Sequence, residues 1–167
     1  MVETIIEDSI IKWEPYTEKD LVCAKFPRDV WHNIAGDINS DKEWSNFVLN
    51  YKNSVKCWIL KKRSNNVAIA MIYIFNEENN WQKVTIHGGA WGNPIMHYRG
   101  YILMLKHLLS QGIKVRTYCQ LFNKVAIRFD RSVGFVPYRY TEDEVFMWIS
   151  EKRLKNSKLY KRFYPNG

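Results

Sequence analysis

The stretch NPIMHYRGYILMLKHLLSQG, residues 93–112, constrains the fold most, because it is a well-punctuated helix set between two strand patterns. Asn93 suits the N-cap, Pro94 suits the first helical position, where no N–H is needed, and Gly112 suits the stop. Ile95, Tyr98, Ile102, Leu105 and Leu109 recur at helical spacing and predict one buried face. Gly100 weakens the helix somewhat. Before it, VTIHGG reads as a strand, and after it, IKVRTYCQLF reads as another. Two strands joined by a crossover helix lie parallel in one sheet and leave a crevice at their carboxyl ends. The three glycines of HGGAWGNP allow a ligand to approach the backbone there, and the helix N-terminus offers N–H groups to a phosphate.

The flanking sequence predicts the rest of the sheet. SIIKWEPYT reads as a first strand ended by Pro15, and Thr17 with Asp20 forms a cap signature for a helix running to Phe26. PRDVWHNIAGDI and SDKEWSNFVLNYKN predict two further helices, the second with Trp44, Phe47, Val48 and Tyr51 on one face. SVKCWILKK, VAIAMIYIF and WQKVTIHGGAWG follow over the polar turns RSNN and NEENN as an antiparallel meander. NKVAIRFDRSV predicts a short helix, and GFVPYRYTEDEVFMWIS a closing hairpin turning at TEDE.

Composition excludes several classes. With 46% hydrophobic and 15% aromatic residues, the 167-residue chain predicts one globular domain with its own core. No apolar run approaches the roughly 20 residues of a membrane helix. Residues 1–8 carry acids and no basic residue, unlike an export signal, so the expected location is cytoplasmic. Cys23, Cys57 and Cys119 are too scattered for a metal pair and are expected as reduced, buried thiols. His32, His87, His97 and His107 show no metal-ligand spacing either, so no metal is expected. The net charge of +8 favours anionic partners, although the segment 151–167 contributes six basic residues against one acid.

The string NKVAIRFDRSVGF, residues 123–135, places an Asn, an Ala three residues on and a Gly-Phe pair eleven and twelve residues on. With the order of elements around it, the chain resembles the GNAT superfamily of N-acetyltransferases along essentially its whole length, best over Val84 to Phe135. The resemblance implies an α/β fold (α+β by some schemes). Its sheet is mixed and mostly antiparallel, with one central splayed parallel strand pair, flanked by helices. It implies a single GNAT-like domain over residues 1–150, with a basic aromatic tail, 151–167, packed on it or extending from it. Acetyl-CoA is the implied co-substrate. Its pyrophosphate would lie at the loop and helix from Gly92 to Gln111, and its pantetheine arm would enter where the strand Ile113–Gln120 parts from Val84–Gly89. The cofactor-binding residues so implied are Gly88, Gly89, Trp91, Gly92, Asn93, Arg99, Asn123 and Arg128, and the catalytic ones are His87 and Asp130.

Two departures from the family pattern stand out. The phosphate signature Q/R-x-x-G-x-G/A is absent. The register Gly92 to His97 supplies one glycine, while a register at Arg99-Gly100 leaves a helix too short to cross the sheet. Asp130 occupies the position where many relatives carry the Tyr that reprotonates the leaving thiolate, and it serves there only with a raised pKa. Pairing with Arg128 or Arg131 is its structural alternative. His87 stands where relatives often place a Glu base, and its ordinary pKa suits proton transfer near neutrality. Packing on the strand face is the alternative for His87, as it is for Trp91.

The expected function is therefore transfer of an acetyl group to a primary amine, carried by a small molecule or a peptide. Trp31, Asp37, Asp41, Glu43 and Trp44 are expected on the acceptor side. The alternative is an inactive GNAT-like domain that binds CoA, another ligand or a protein. The tail interleaves Lys and Arg with Tyr160, Phe163 and Tyr164, which allows nucleic-acid binding or, as preferred, packing of those rings on the domain. A homodimer is a further open possibility.

Overall fold

The computed structural model describes residues 5–17, 19–20, 40, 42–43, 46, 55–76 and 80–167. The three early helices predicted between Thr17 and Asn53 lie outside the described residues, apart from a few isolated positions. Thr17 and Asp20 do form a local cap: the Thr17 N–H donates to Asp20 Oδ2 at 2.8 Å, and the Asp20 N–H returns to the Thr17 carbonyl.

Among the described residues, eight strands form one sheet in the order β1-β2-β3-β4-β5-β6-β8-β7. The strands are β1 (Ile6–Glu7), β2 (Ile11–Pro15), β3 (Val55–Lys62), β4 (Ala68–Asn76), β5 (Lys83–Ala90), β6 (Lys114–Gln120), β7 (Val136–Tyr140) and β8 (Glu144–Ile149). Every pairing is antiparallel except β5 with β6. Four helices are described: α1 (Pro94–Ser110), α2 (Lys124–Val133), α3 (Glu151–Asn156) and α4 (Lys158–Phe163). The two-residue β1 leaves no mark in the sequence, because so short a strand carries no alternation to read.

The punctuation of α1 works as the residue types require. The Asn93 side chain accepts the Ile95 N–H at 2.9 Å, Pro94 occupies the first turn, and Gly112 takes a positive φ of 75°. The helix buries Ile102, Leu105, Leu108 and Leu109 against Trp13, Leu60, Ile72, Ile86 and Val115 of the sheet. Full burial of each aliphatic chain contributes roughly 1.5–3 kcal/mol.

Gly100 has a different role from the one its propensity suggests. A Cβ there would come 2.3 Å from Leu60 Cδ2, so the bare backbone lets α1 sit tight on β3. Its carbonyl accepts the Trp13 indole N–H at 2.7 Å.

The tail folds back on α1. Leu154 and Tyr160 are 1% exposed, so its rings serve the core. Asp8, in the β1–β2 turn, joins three distant segments. It accepts the N–H groups of Ile10 and Ile11, the Arg99 Nε–H at 2.7 Å and the Tyr164 hydroxyl at 2.8 Å. Burial alone would raise the Asp8 pKa, but these four donors together hold it below the ordinary carboxylate value.

Candidate active site

The parallel strands pair over a short length only. Lys83, Val84 and Thr85 of β5 match Lys114, Val115 and Arg116 of β6, and pairing stops there. Beyond that point β5 stays with β4 as far as Ala90, while β6 stays with β8 as far as Gln120. A wedge therefore opens between residues 86–90 and 117–120. At its throat the Thr117 hydroxyl donates to the Ile86 carbonyl at 3.0 Å. Because backbone groups alternate sides along a strand, the N–H and C=O of Gly88 point the same way as the Ile86 carbonyl, into the wedge.

Each side of the wedge carries a titratable group. On the face away from the helices, the His87 ring stands 4.3 Å from the Tyr118 ring across the gap, with Tyr73 and Phe75 behind it. His87 Nε2 is buried and has no hydrogen-bond partner among the described residues. Burial pushes the His87 pKa down to about 4. The expectation of a base titrating near neutrality is thus corrected: the ring is neutral at pH 7 and weakly basic, because the aromatic surroundings do not solvate its cation.

On the helix face, Asp130 of α2 is 6% exposed. It accepts the Tyr101 hydroxyl at 3.1 Å and the Cys119 thiol at 3.2 Å. Neither Arg128 nor Arg131 pairs with it, since both project from the exposed side of α2 while Asp130 faces inward. Burial raises the Asp130 pKa to about 7, against the opposing pull of its two donors. Burial also pushes up the Cys119 thiol and the Tyr101 phenol, with the Asp130 charge adding to both.

The remaining expected site residues fall into two groups. Asn123 caps α2, its side-chain oxygen accepting the Ala126 N–H at 3.1 Å. Its Nδ2 has no partner among the described residues. Gly88 is a glycine for a reason the sequence did not disclose: a Cβ would come 2.5 Å from the Met71 carbonyl oxygen of β4. Gly89 pairs with Met71 in the regular β4–β5 ladder. Gly92 takes a positive φ of 87° in the loop before α1.

Trp91 and Arg99 are occupied. The Trp91 indole donates to the Ala68 carbonyl at 2.8 Å, and its own carbonyl bonds His97 Nε2 at 2.7 Å. The Arg99 guanidinium is held by Asp8 and lies over the Phe163 and Tyr164 rings. That placement turns it toward the tail, and we leave it out of the phosphate cradle. Arg128 lines a separate cavity of about 300 Å³ between α2 and the β7–β8 hairpin.

The amides at the start of α1 are mostly committed. Pro94 has none, Ile95 donates to Asn93, and His97 donates to the Asn93 carbonyl at 3.4 Å, which leaves Met96. Met96 borders a cavity of about 570 Å³ that Lys62 and Arg63 also line. Nothing in the string links these two cations to the helix, because they sit at the end of β3 and in the turn after it, far from the helix in the chain.

Among the acceptor-side residues, Glu43 is exposed, and Trp31, Asp37, Asp41 and Trp44 lie outside the described residues. Cys57 and Cys119 are buried and form no disulfide among the described residues, and Cys23 is likewise outside. No described helix is long and apolar enough to cross a membrane.

Solved structures share this architecture. The apo form of FdhC, a nucleotide-linked sugar GNAT, superposes with a TM-score of 0.74 at 13% identity, covering 98% of each chain. This is the GNAT acetyltransferase fold. A GNAT-family acetyltransferase from Bacillus anthracis matches at TM-score 0.75 and 16% identity, over 89% of this chain and 99% of that one. Spermidine N-acetyltransferase from Vibrio cholerae, in complex with CoA and spermine, matches at TM-score 0.66 and 12% identity, over 89% and 100%. No protein-family model and no curated protein matches the sequence. A GNAT fold thus stands here on a widely diverged sequence.

Proposed function

We propose that the chain is an acetyl-CoA-dependent N-acetyltransferase acting on a primary amine. The observation that carries the reading is the wedge. A GNAT sheet whose central pair parts after three residue pairs leaves the backbone of Gly88 free to meet an amide-rich arm and a thioester. The amine nitrogen attacks the thioester carbonyl carbon, the C–S bond breaks, and the thiol leaves after gaining a proton. The Gly88 N–H is the donor for the carbonyl oxygen. Asn123 Nδ2 is the donor for the pantetheine arm, and Met96 and Lys62 are the groups for the phosphates.

Asp130, with a pKa of about 7, carries a proton for part of its time at neutral pH. It therefore answers the objection that a carboxylate in this position would only repel a thiolate. His87 is a neutral acceptor, with its unpartnered Nε2 available to an incoming N–H. Because one relative of this fold was solved with CoA and spermine, polyamines are the first acceptors to try. Peptide amines are the second.

Titration calorimetry with acetyl-CoA, followed by detection of released CoA thiol over a panel of amines, tests the reading. Binding and amine-dependent thiol release are expected. No heat and no thermal shift at millimolar acetyl-CoA sinks it. A second reading, a GNAT-shaped binding domain without turnover, is favoured by the sparse amide cradle at α1. Binding without thiol release, for any amine tried, selects it.

A further inference from the structure

The face of β6, β7 and β8 that points away from the four described helices carries large exposed rings. Tyr118, Tyr138 and Trp148 are 37%, 45% and 40% exposed on it. Phe146 sits between them, with ring centroids 5.5 Å from Tyr118 and 6.5 Å from Tyr138. Ladder register puts Arg116 opposite Trp148, Tyr118 opposite Phe146, and Arg139 opposite Phe146, so these side chains share one face. A bulge between Pro137 and Arg139 turns Tyr138 onto the same side.

Guanidinium groups lie over these rings. Arg116 is 5.2 Å from the Tyr138 centroid, Arg139 is 3.8 Å from that of Phe146, and Arg153 is 5.7 Å from that of Trp148. The acid on this face of β8 is Glu144, at the far end, where it accepts from Gln120. Three exposed large rings on one sheet face mark a surface that meets something. Cations interleaved with rings on neighbouring strands suit a partner that offers negative charge and flat apolar faces in alternation.

We propose that this face binds single-stranded nucleic acid, its bases stacked on the tyrosine, tryptophan and guanidinium planes and its phosphates paired with Arg139 and Arg153. A duplex hides its base faces and cannot use the rings. The tail, which carries most of the excess charge, offers fewer rings for stacking, because Tyr160 is buried and Phe163 and Tyr164 are half-buried under Arg99 and Lys106. Binding needs no acetyl-CoA and stands whether or not the chain turns over an amine.

The test is fluorescence anisotropy of a labelled ten-nucleotide oligouridine with the full chain. With two phosphates neutralised, by Arg139 and Arg153, affinity is expected to fall about 7-fold between 50 and 200 mM salt. Tyr138→Ala with Trp148→Ala is expected to weaken binding at least about 10-fold at fixed salt, since each stacked base is worth that order. Lys155→Ala with Lys158→Ala, in the tail, is expected to change it less than about twofold.

Unchanged affinity in a ring variant that melts like wild type overturns the proposal. So does equal affinity for a duplex of the same length, for heparin or for polyglutamate, which would reveal a generic polyanion or acidic-protein surface. Should the ring variant fail to fold, photocrosslinking of a thiouridine oligonucleotide to the wild-type chain decides. Adducts on β6, β7 or β8 support the proposal, and adducts confined to the tail, or none, overturn it.

Discussion

Replacing Asp130 with asparagine is the perturbation with the sharpest expected signature. The folded chain holds the Asp130 proton up to about pH 7, whereas the unfolded chain releases it near the ordinary 3.8. Between those limits the native state binds more protons than the unfolded state, so this group makes stability fall as pH rises. Its cost is absent below pH 3.8 and complete above about 7, and the gap corresponds to about 4 kcal/mol. His87 works in the opposite sense. Its folded pKa of about 4 lies below the ordinary 6.5, so it makes stability rise with pH across that window, by about 3 kcal/mol.

The two slopes largely cancel in the wild-type chain between pH 4 and 6.5. Asp130→Asn removes one of them, while the new carboxamide can still accept from Tyr101. The variant is therefore expected to match wild type near pH 4 and to exceed it progressively up to pH 7.5, by as much as about 4 kcal/mol. Urea unfolding followed by tryptophan fluorescence at half-unit pH steps measures the difference directly. Parallel profiles for the two proteins would refute the reasoning, because they would mean that Asp130 titrates alike in both states.

Other perturbations separate structure from function. Asn123→Ser keeps a capping oxygen for the Ala126 N–H but loses the Nδ2 donors. It is expected to melt close to wild type with a raised KM for acetyl-CoA, whereas Asn123→Ala is expected also to lose about 1 kcal/mol of stability. Gly100→Ala drives a methyl toward Leu60, at 2.3 Å before relaxation, and is expected to cost about 1–3 kcal/mol in denaturant unfolding despite its better helix propensity. Trp13→Phe removes the indole donor that the Gly100 carbonyl accepts in addition to its place in the helix ladder, and is expected to cost about 0.5–1.5 kcal/mol, read as a lower melting temperature.

These residues also show what a sequence exposes and what it hides. The start and stop of α1 were legible because Asn93, Pro94 and Gly112 each act on their own neighbours, and the parallel pair followed from the crossover. Gly134 and Phe135 marked the end of α2 for the same local reason: Gly134 has a φ of 116° and no room for a side chain against Arg153. The site itself was less legible. Asp130 meets partners 29 and 11 positions away, and nothing in the string distinguishes them from Arg128 or Arg131 next door. Arg99 has the chemistry of a phosphate ligand, but Asp8, 91 positions earlier, decides where it points. His87 was visible as a histidine beside glycines, while its depressed pKa comes from rings contributed by other strands.

The knot at Asp8 has a temporal meaning as well. The last donor to its carboxylate is a hydroxyl 156 positions downstream, so the β1–β2 turn is completed only when nearly the whole described chain has been made. A ribosome would release the opening strand long before its clasp exists. Until then that turn rests on its local donors, Ile10 and Ile11, and on Arg99 once that residue exists.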